Sequence, residues 1–182
     1  FASVEFLFVF FPAFLLAQSL LPNRNITYLL FSLAFYFFGE GWYIAVLILS
    51  TVMNFGFGLW IDRSTTRRGR RTAISVGITA NLALLFIFKY ADFFYTSVAG
   101  GSPGTWLESI HLPLGISFFT FHAISYLVDI YRLAVRAERS FINLALYITL
   151  FPKLIAGPIV RFHTIADQLS HHEVDAVIAR TP

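Results

Sequence analysis

Residues 113–132 read Pro-Leu-Gly-Ile-Ser-Phe-Phe-Thr-Phe-His-Ala-Ile-Ser-Tyr-Leu-Val-Asp-Ile-Tyr-Arg. The stretch is long and apolar enough to enter a bilayer as a helix, yet it carries His122, Ser125, Asp129 and Arg132. At about 100° per residue, His122, Ser125, Asp129, Arg132 and Arg136 share one helical sector roughly 80° wide, with Phe118, Phe121 and Tyr126 elsewhere. Polar groups are expensive in lipid and are usually functional there. The stripe is therefore expected to face protein or water.

The chain around it has a membrane composition: 57% hydrophobic and 13% charged residues, against about 45–50% and 25% in soluble domains. Without cysteine there is no disulfide framework, thiolate nucleophile or cysteine-based zinc site, and the redox compartment is left open. The net charge of +3 is modest; its clustering speaks to membrane topology rather than to nucleic acid.

Apolar runs at 4–21, 42–61, 72–91, 112–133 and 141–160 each approach the ~20 residues of a spanning helix. A shorter run at 26–38 lies in the interface or re-enters, unless it continues through Gly39-Glu40-Gly41. The expected fold class is all-α, a polytopic membrane protein of about five to six segments. Glu5, where a secretory signal would be basic, and the lack of a small-residue cleavage site make the first run a retained helix. Residues 62–71 hold Arg63, Arg67, Arg68, Arg70 and Arg71, whereas 92–111 hold no lysine or arginine. The first loop is thus expected to be cytoplasmic and the second, with its Gly100-Gly101-Ser102-Pro103-Gly104 breaker cluster, external. Arg132, Arg136 and Arg139 fit the same frame. Lys89 and Asp92 read as a local ion pair.

A second unusual block, Phe-Pro-Lys-Leu-Ile-Ala-Gly-Pro-Ile-Val-Arg-Phe at 151–162, places Lys153 inside an apolar run broken by Pro152, Gly157 and Pro158. Broken backbone at membrane depth is tolerated only against protein or water. A kinked or re-entrant element would also keep Arg161 on the cytoplasmic side. A simple proline kink accounts for the pattern equally well.

Two catalytic readings compete with blander ones. His122, Ser125 and Asp129 have the residue types of a hydrolase triad, but no nucleophile elbow or oxyanion hole accompanies them, and a polar lining or helix contact is the better reading. His163, Asp167 and His171 recur every four residues, which suits metal ligation, but the solvated face of an amphipathic segment is the default.

The opening Val-Glu-Phe-Leu-Phe-Val-Phe-Phe-Pro at 4–12, the Phe-Lys-Tyr-Ala-Asp-Phe-Phe at 88–94, the Gly115–Arg132 block and the Phe151–Phe162 block together resemble the membrane-bound O-acyltransferase family, specifically its alginate O-acetylating branch, in order and spacing. The resemblance covers nearly the whole chain. It implies that residues 1–182 are the N-terminal part of a single membrane-bound O-acyltransferase domain in the bacterial inner membrane, crossing it several times. It further implies acetyl-coenzyme A as donor with no bound cofactor, and a periplasmic acetyltransferase partner acting on a polysaccharide. Thr120, His122, Ser125, Asp129 and Arg132 would then line the substrate passage, together with Lys153, Gly157, Pro158 and Arg161 from the second block.

The family's active-site histidine lies in the second half of a longer chain, so it is expected beyond residue 182 and no residue here is assigned as catalytic. The absent initiating methionine and the ending at Arg180-Thr181-Pro182 suggest a fragment. His122 stands where relatives often carry glutamine, which makes it a lining or packing residue. The rival readings are D-alanyl transfer to teichoic acid within the same family, and a transporter or channel that uses the stripe as a pore, for which inverted repeats are lacking.

The arginine asymmetry predicts opposite labelling of two engineered thiols in a chain without cysteine. Ser64→Cys should react with a membrane-impermeant reagent only from the cytoplasmic side and Ser102→Cys only from outside; labelling of position 64 from outside would reverse the topology.

Overall fold

The computed structural model describes residues 6–21, 23–99, 113–150 and 162, and every regular element among them is helical. A widened helical turn, Phe6–Phe10, leads into α1 (Phe11–Leu20). Then follow α2 (Arg24–Glu40), a tight turn Gly41–Tyr43 and α3 (Ile44–Arg63). α4 is Arg67–Ala99, α5 is Ile116–Tyr131 and α6 is Phe141–Thr149. Helices α3, α4 and α5 pack on one another as a central trio; α6 lies against α2, α3 and α5, and α1 against α2.

The run at 26–38 does continue to Glu40. The chain then turns at Gly41, whose φ of 57° is cheap only for glycine, and resumes as α3. Gly115 serves the same purpose at the start of α5: with φ 75° it lets Ile116 N–H reach the Pro113 carbonyl, after which Phe119 N–H bonds the Gly115 carbonyl. At the other end of α5, Leu133 takes a left-handed φ of 61°, and the amides of Leu133 and Ala134 fold back on the carbonyls of Ile130 and Asp129. This is a helix stop of the kind glycine usually provides, at a cost of about 1–2 kcal/mol when a side chain adopts it.

An apolar core is combined here with an apolar surface and a set of buried polar side chains. Phe8, Leu20, Phe38 and Trp42 are at least three-quarters exposed, while Ser32, Ser50, Asn54, Asn81, Thr120, His122 and Asp129 are buried. In water such a surface would aggregate; in lipid, apolar side chains face outward and polar groups find partners between helices. The chain is a membrane protein. Two helical stretches, Arg24–Arg63 and Arg67–Tyr90, are long and apolar enough to cross a bilayer, while Phe8–Leu20 and Ile116–Tyr131 are apolar but shorter. Among the described residues two stretches are thus of spanning length, and the runs at 4–21, 112–133 and 141–160 each extend in part outside those residues. The expected break at 151–161 lies outside the described residues.

Small side chains set the spacing of the trio. A β-carbon on Gly58 of α3 would lie 2.7 Å from the Tyr126 hydroxyl, and one on Gly77 of α4 would lie 2.8 Å from Leu127 Cδ1, so α5 seats directly on glycine in both neighbours. One turn away, Asn54 and Asn81 exchange amides across α3 and α4. Asn54 Nδ2 donates to Asn81 Oδ1 at 3.0 Å and Asn81 Nδ2 donates back at 2.7 Å, while the second hydrogens go to the carbonyls of Ser50 and Gly77, both at 2.8 Å. Both amides are therefore fully used. Aromatic pairs zip the Phe6–Phe10 turn and α1 to α2: Phe6 on Phe35, Phe10 on Phe31 and Phe14 on Tyr28, with centroids 5.0–5.6 Å apart.

Replacing Asn54 alone by leucine should strand the Asn81 amide and cost about 1–2 kcal/mol. The double replacement Asn54→Leu/Asn81→Leu should cost less than the sum of the two singles. Strict additivity in a double-mutant cycle, read by thermal unfolding in detergent, would show that the two amides do not interact.

Candidate functional site

On α5, the residues of the polar stripe turn inward toward α6. Thr120 and Asp129 are buried, His122 is 2% exposed and Ser125 is half-buried. His122, Ser125 and Asp129 meet the same neighbourhood because α5 packs on α6, where Tyr147 is also buried. The Tyr147 hydroxyl is hydrogen-bonded to the Ser125 side chain and feels the charge of Asp129. Its ring stands edge-on to His122, with centroids 5.6 Å apart and planes at 84°. The other side of the Tyr147 ring meets Phe162 at 5.0 Å, and Phe162 in turn meets Tyr126 at 4.9 Å. One tyrosine thus touches His122 and Ser125 and couples to Asp129, and it also carries the single described residue of the 151–162 block.

His122 Nδ1 lies 2.8 Å from the Phe118 carbonyl oxygen, one turn back on the same helix. A carbonyl only accepts, so this nitrogen carries the proton. A Ser-His-Asp triad would turn that edge of the ring to a carboxylate; here it faces backbone, and Ser125 is bonded to Tyr147. Thr120 Oγ1 is buried and makes no hydrogen bond among the described residues. The contacts describe a polar, aromatic-walled seam between two helices, suited to holding hydrogen-bonding groups in a dry interior.

Arg132 and Arg136 do not belong to the seam. The helix stops at Tyr131 and the left-handed Leu133 turns the chain aside, so both arginines are exposed beyond the end of α5. The sequence pattern extended the helix through them because nothing between 126 and 136 is a glycine or proline. Lys153, Gly157, Pro158 and Arg161 lie outside the described residues, as do His163, Asp167 and His171. The Lys89 ammonium sits 5.4 Å from the centroid of the Tyr90 ring; the Asp92 side chain lies outside what the structure describes. Tyr147 escaped sequence reasoning because its run at 141–160 showed only apolar continuity. Arg70 escaped as well: counted as loop charge, it sits in the first turn of α4 and donates from one guanidinium nitrogen to the carbonyls of Ile130 (2.9 Å) and Tyr131 (3.1 Å), capping α5.

Tyr147→Phe should cost about 0.5–1.5 kcal/mol, because it removes the Ser125 hydrogen bond and keeps the ring contacts, whereas Tyr147→Ala should cost about 3 kcal/mol or more by also emptying the aromatic wall. Equal thermal shifts for the two variants would place the contribution of Tyr147 elsewhere than in its ring packing.

No family model matches the chain, and no solved structure matches it. Curated relatives do. A Pseudomonas aeruginosa protein named "Probable alginate O-acetylase AlgI" is 38% identical over 96% of this chain and 36% of its own length. Its namesake in Azotobacter vinelandii is 35% identical over 96% of the chain and 37% of its own. A Helicobacter pylori "Peptidoglycan O-acetyltransferase" is 32% identical over 90% of the chain and 37% of its own. The chain spans about a third of the length of these relatives. Similarity of this extent, on a membrane-type helical fold, makes the chain a homologue of about a third of a protein of the kind named alginate O-acetylase AlgI.

Proposed function

We propose that this chain is part of a membrane-bound O-acyltransferase that moves an acetyl group from acetyl-coenzyme A on the cytoplasmic side to a polysaccharide beyond the membrane. The observation that carries the reading is the 38% identity to an alginate O-acetylase sustained over 96% of the chain. In this reading the protein resides in the bacterial inner membrane with five to six segments, and a periplasmic acetyltransferase partner completes delivery to the polymer. The general base is the family's histidine, supplied by the portion of the relatives that this chain does not cover. The α5–α6 seam contributes to the passage: Ser125, Tyr147 and the imidazole of His122 offer hydrogen bonds to a polar acyl carrier where lipid would offer none. In this reading Lys153, Gly157, Pro158 and Arg161 are also assigned to the passage.

An alginate-like polymer is the first acceptor. The Helicobacter pylori relative favours peptidoglycan glycan strands as the second. Both present sugar hydroxyls, and the chemistry asked of the protein is the same.

The protein from the complete reading frame, reconstituted with its periplasmic partner in vesicles loaded with radiolabelled acetyl-coenzyme A, should label an external polymer of uronic acid or glycan strands. His122→Gln should keep most of that activity, since glutamine still donates and accepts, and His122→Leu should lose more. Absence of label on either polymer would overturn the acyl-transfer reading. A thousand-fold loss in a folded His122→Gln protein would make His122 a general base instead of a lining residue.

A further inference from the structure

One end of the bundle gathers charge of a single sign. Residues 62–71 and 132–139 carry eight arginines and two carboxylates, Asp62 and Glu138, whereas the remainder of the chain has more acidic than basic residues. Far apart in sequence, the two segments are held together in space. Arg70 reaches from α4 to the last carbonyls of α5, and Arg139 bonds Asp62 at 2.7 Å. Both carboxylates are engaged within the segments, Glu138 Oε1 accepting the backbone amides of Arg139 and Ser140 at 2.9 Å each. Arg63, Arg67, Arg68, Arg71, Arg132 and Arg136 are exposed.

Two apolar side chains stand among them. Leu133, flanked by Arg132 and close in sequence to Arg136, is 73% exposed and is held there by a left-handed backbone that a leucine rarely adopts. Trp60, in the last turn of α3 beside Arg63, is 44% exposed. Guanidinium groups bind phosphate oxygens in pairs. Exposed leucine and tryptophan beside arginines in the chain suit an interfacial contact, and a ligand dissolved in water would leave them wet.

We propose that this end of the bundle is a binding surface for anionic phospholipid, with arginines from the α3–α4 turn and the α5–α6 connection taking the headgroup phosphate while Leu133 and Trp60 enter the acyl boundary. A lipid bound there bridges two segments otherwise joined by the Arg70 and Arg139 contacts, and so steadies the end of α5 that carries Asp129. The inference rests on the membrane placement of the chain and is independent of acyl transfer.

The test uses the protein from the complete reading frame in neutral detergent, titrated with short-chain phosphatidylglycerol, short-chain phosphatidylcholine and inorganic pyrophosphate, and read by tryptophan fluorescence and thermal shift. Phosphatidylglycerol should bind at least about ten-fold more tightly than phosphatidylcholine. Each arginine near an anionic surface is worth roughly a factor of five, so Arg132→Gln/Arg136→Gln should weaken phosphatidylglycerol about ten-fold or more, while Arg132→Lys/Arg136→Lys, which keeps the charge but loses the paired geometry, should weaken it less. Leu133→Gly relieves the backbone, so it should fold at least as well, and it should weaken the lipid several-fold. Equal affinity for the two lipids, or indifference to the glutamine pair, would overturn the proposal. Competition by pyrophosphate at micromolar concentration, with no effect of Leu133→Gly, would overturn it too, by assigning the arginines to a soluble phosphate ligand.

Discussion

The reciprocal amide exchange between Asn54 and Asn81 is the contact on which the arrangement of the bundle depends. In lipid the gain from burying apolar surface is small, since the tails are as apolar as leucine, and helices must be told where to meet by close packing and by polar groups that cannot be left alone. Here both instructions coincide. The amides pair face to face while Gly58 and Gly77 let α5 settle into the groove between α3 and α4. Tyr126, Leu127 and the rest of the inner face of α5 are positioned from that groove. The polar seam on the neighbouring face of α5 is oriented by the same packing.

Much of this was legible in residue order. Apolar runs marked the helices, and the mix of His122, Ser125 and Asp129 in one sector of α5 pointed to an inward face, which is where the three residues lie. The α3–α4 contact left a weaker trace: Ser50, Asn54 and Gly58, and likewise Ala73, Gly77 and Asn81, recur every four residues, a small-and-polar ridge that could have been read as a helix seam. Two features lay beyond sequence patterns. The stop after Tyr131 depends on a leucine held in a left-handed conformation, which no turn residue announces, so Arg132 and Arg136 were drawn into a stripe they do not join. The part played by Tyr147 depends on α6 packing against α5, a long-range fact that periodicity within either helix does not contain.

The two ends of α5 contrast. At its start, glycine supplies the sharp turn freely. At its finish, the turn is made by Leu133 and secured by Arg70 from another helix. A helix whose last carbonyls are satisfied by a distant guanidinium has its terminus tied to the fold, not to its own sequence.

The aromatic zipper between α1 and α2 bears on how the protein is built during synthesis. Its pairs run antiparallel, 6 with 35, 10 with 31 and 14 with 28, and α2 is the described α-helix on which α1 chiefly packs. The two can therefore close as a hairpin as soon as α2 has left the ribosome, with no need of α3, α4 or α5.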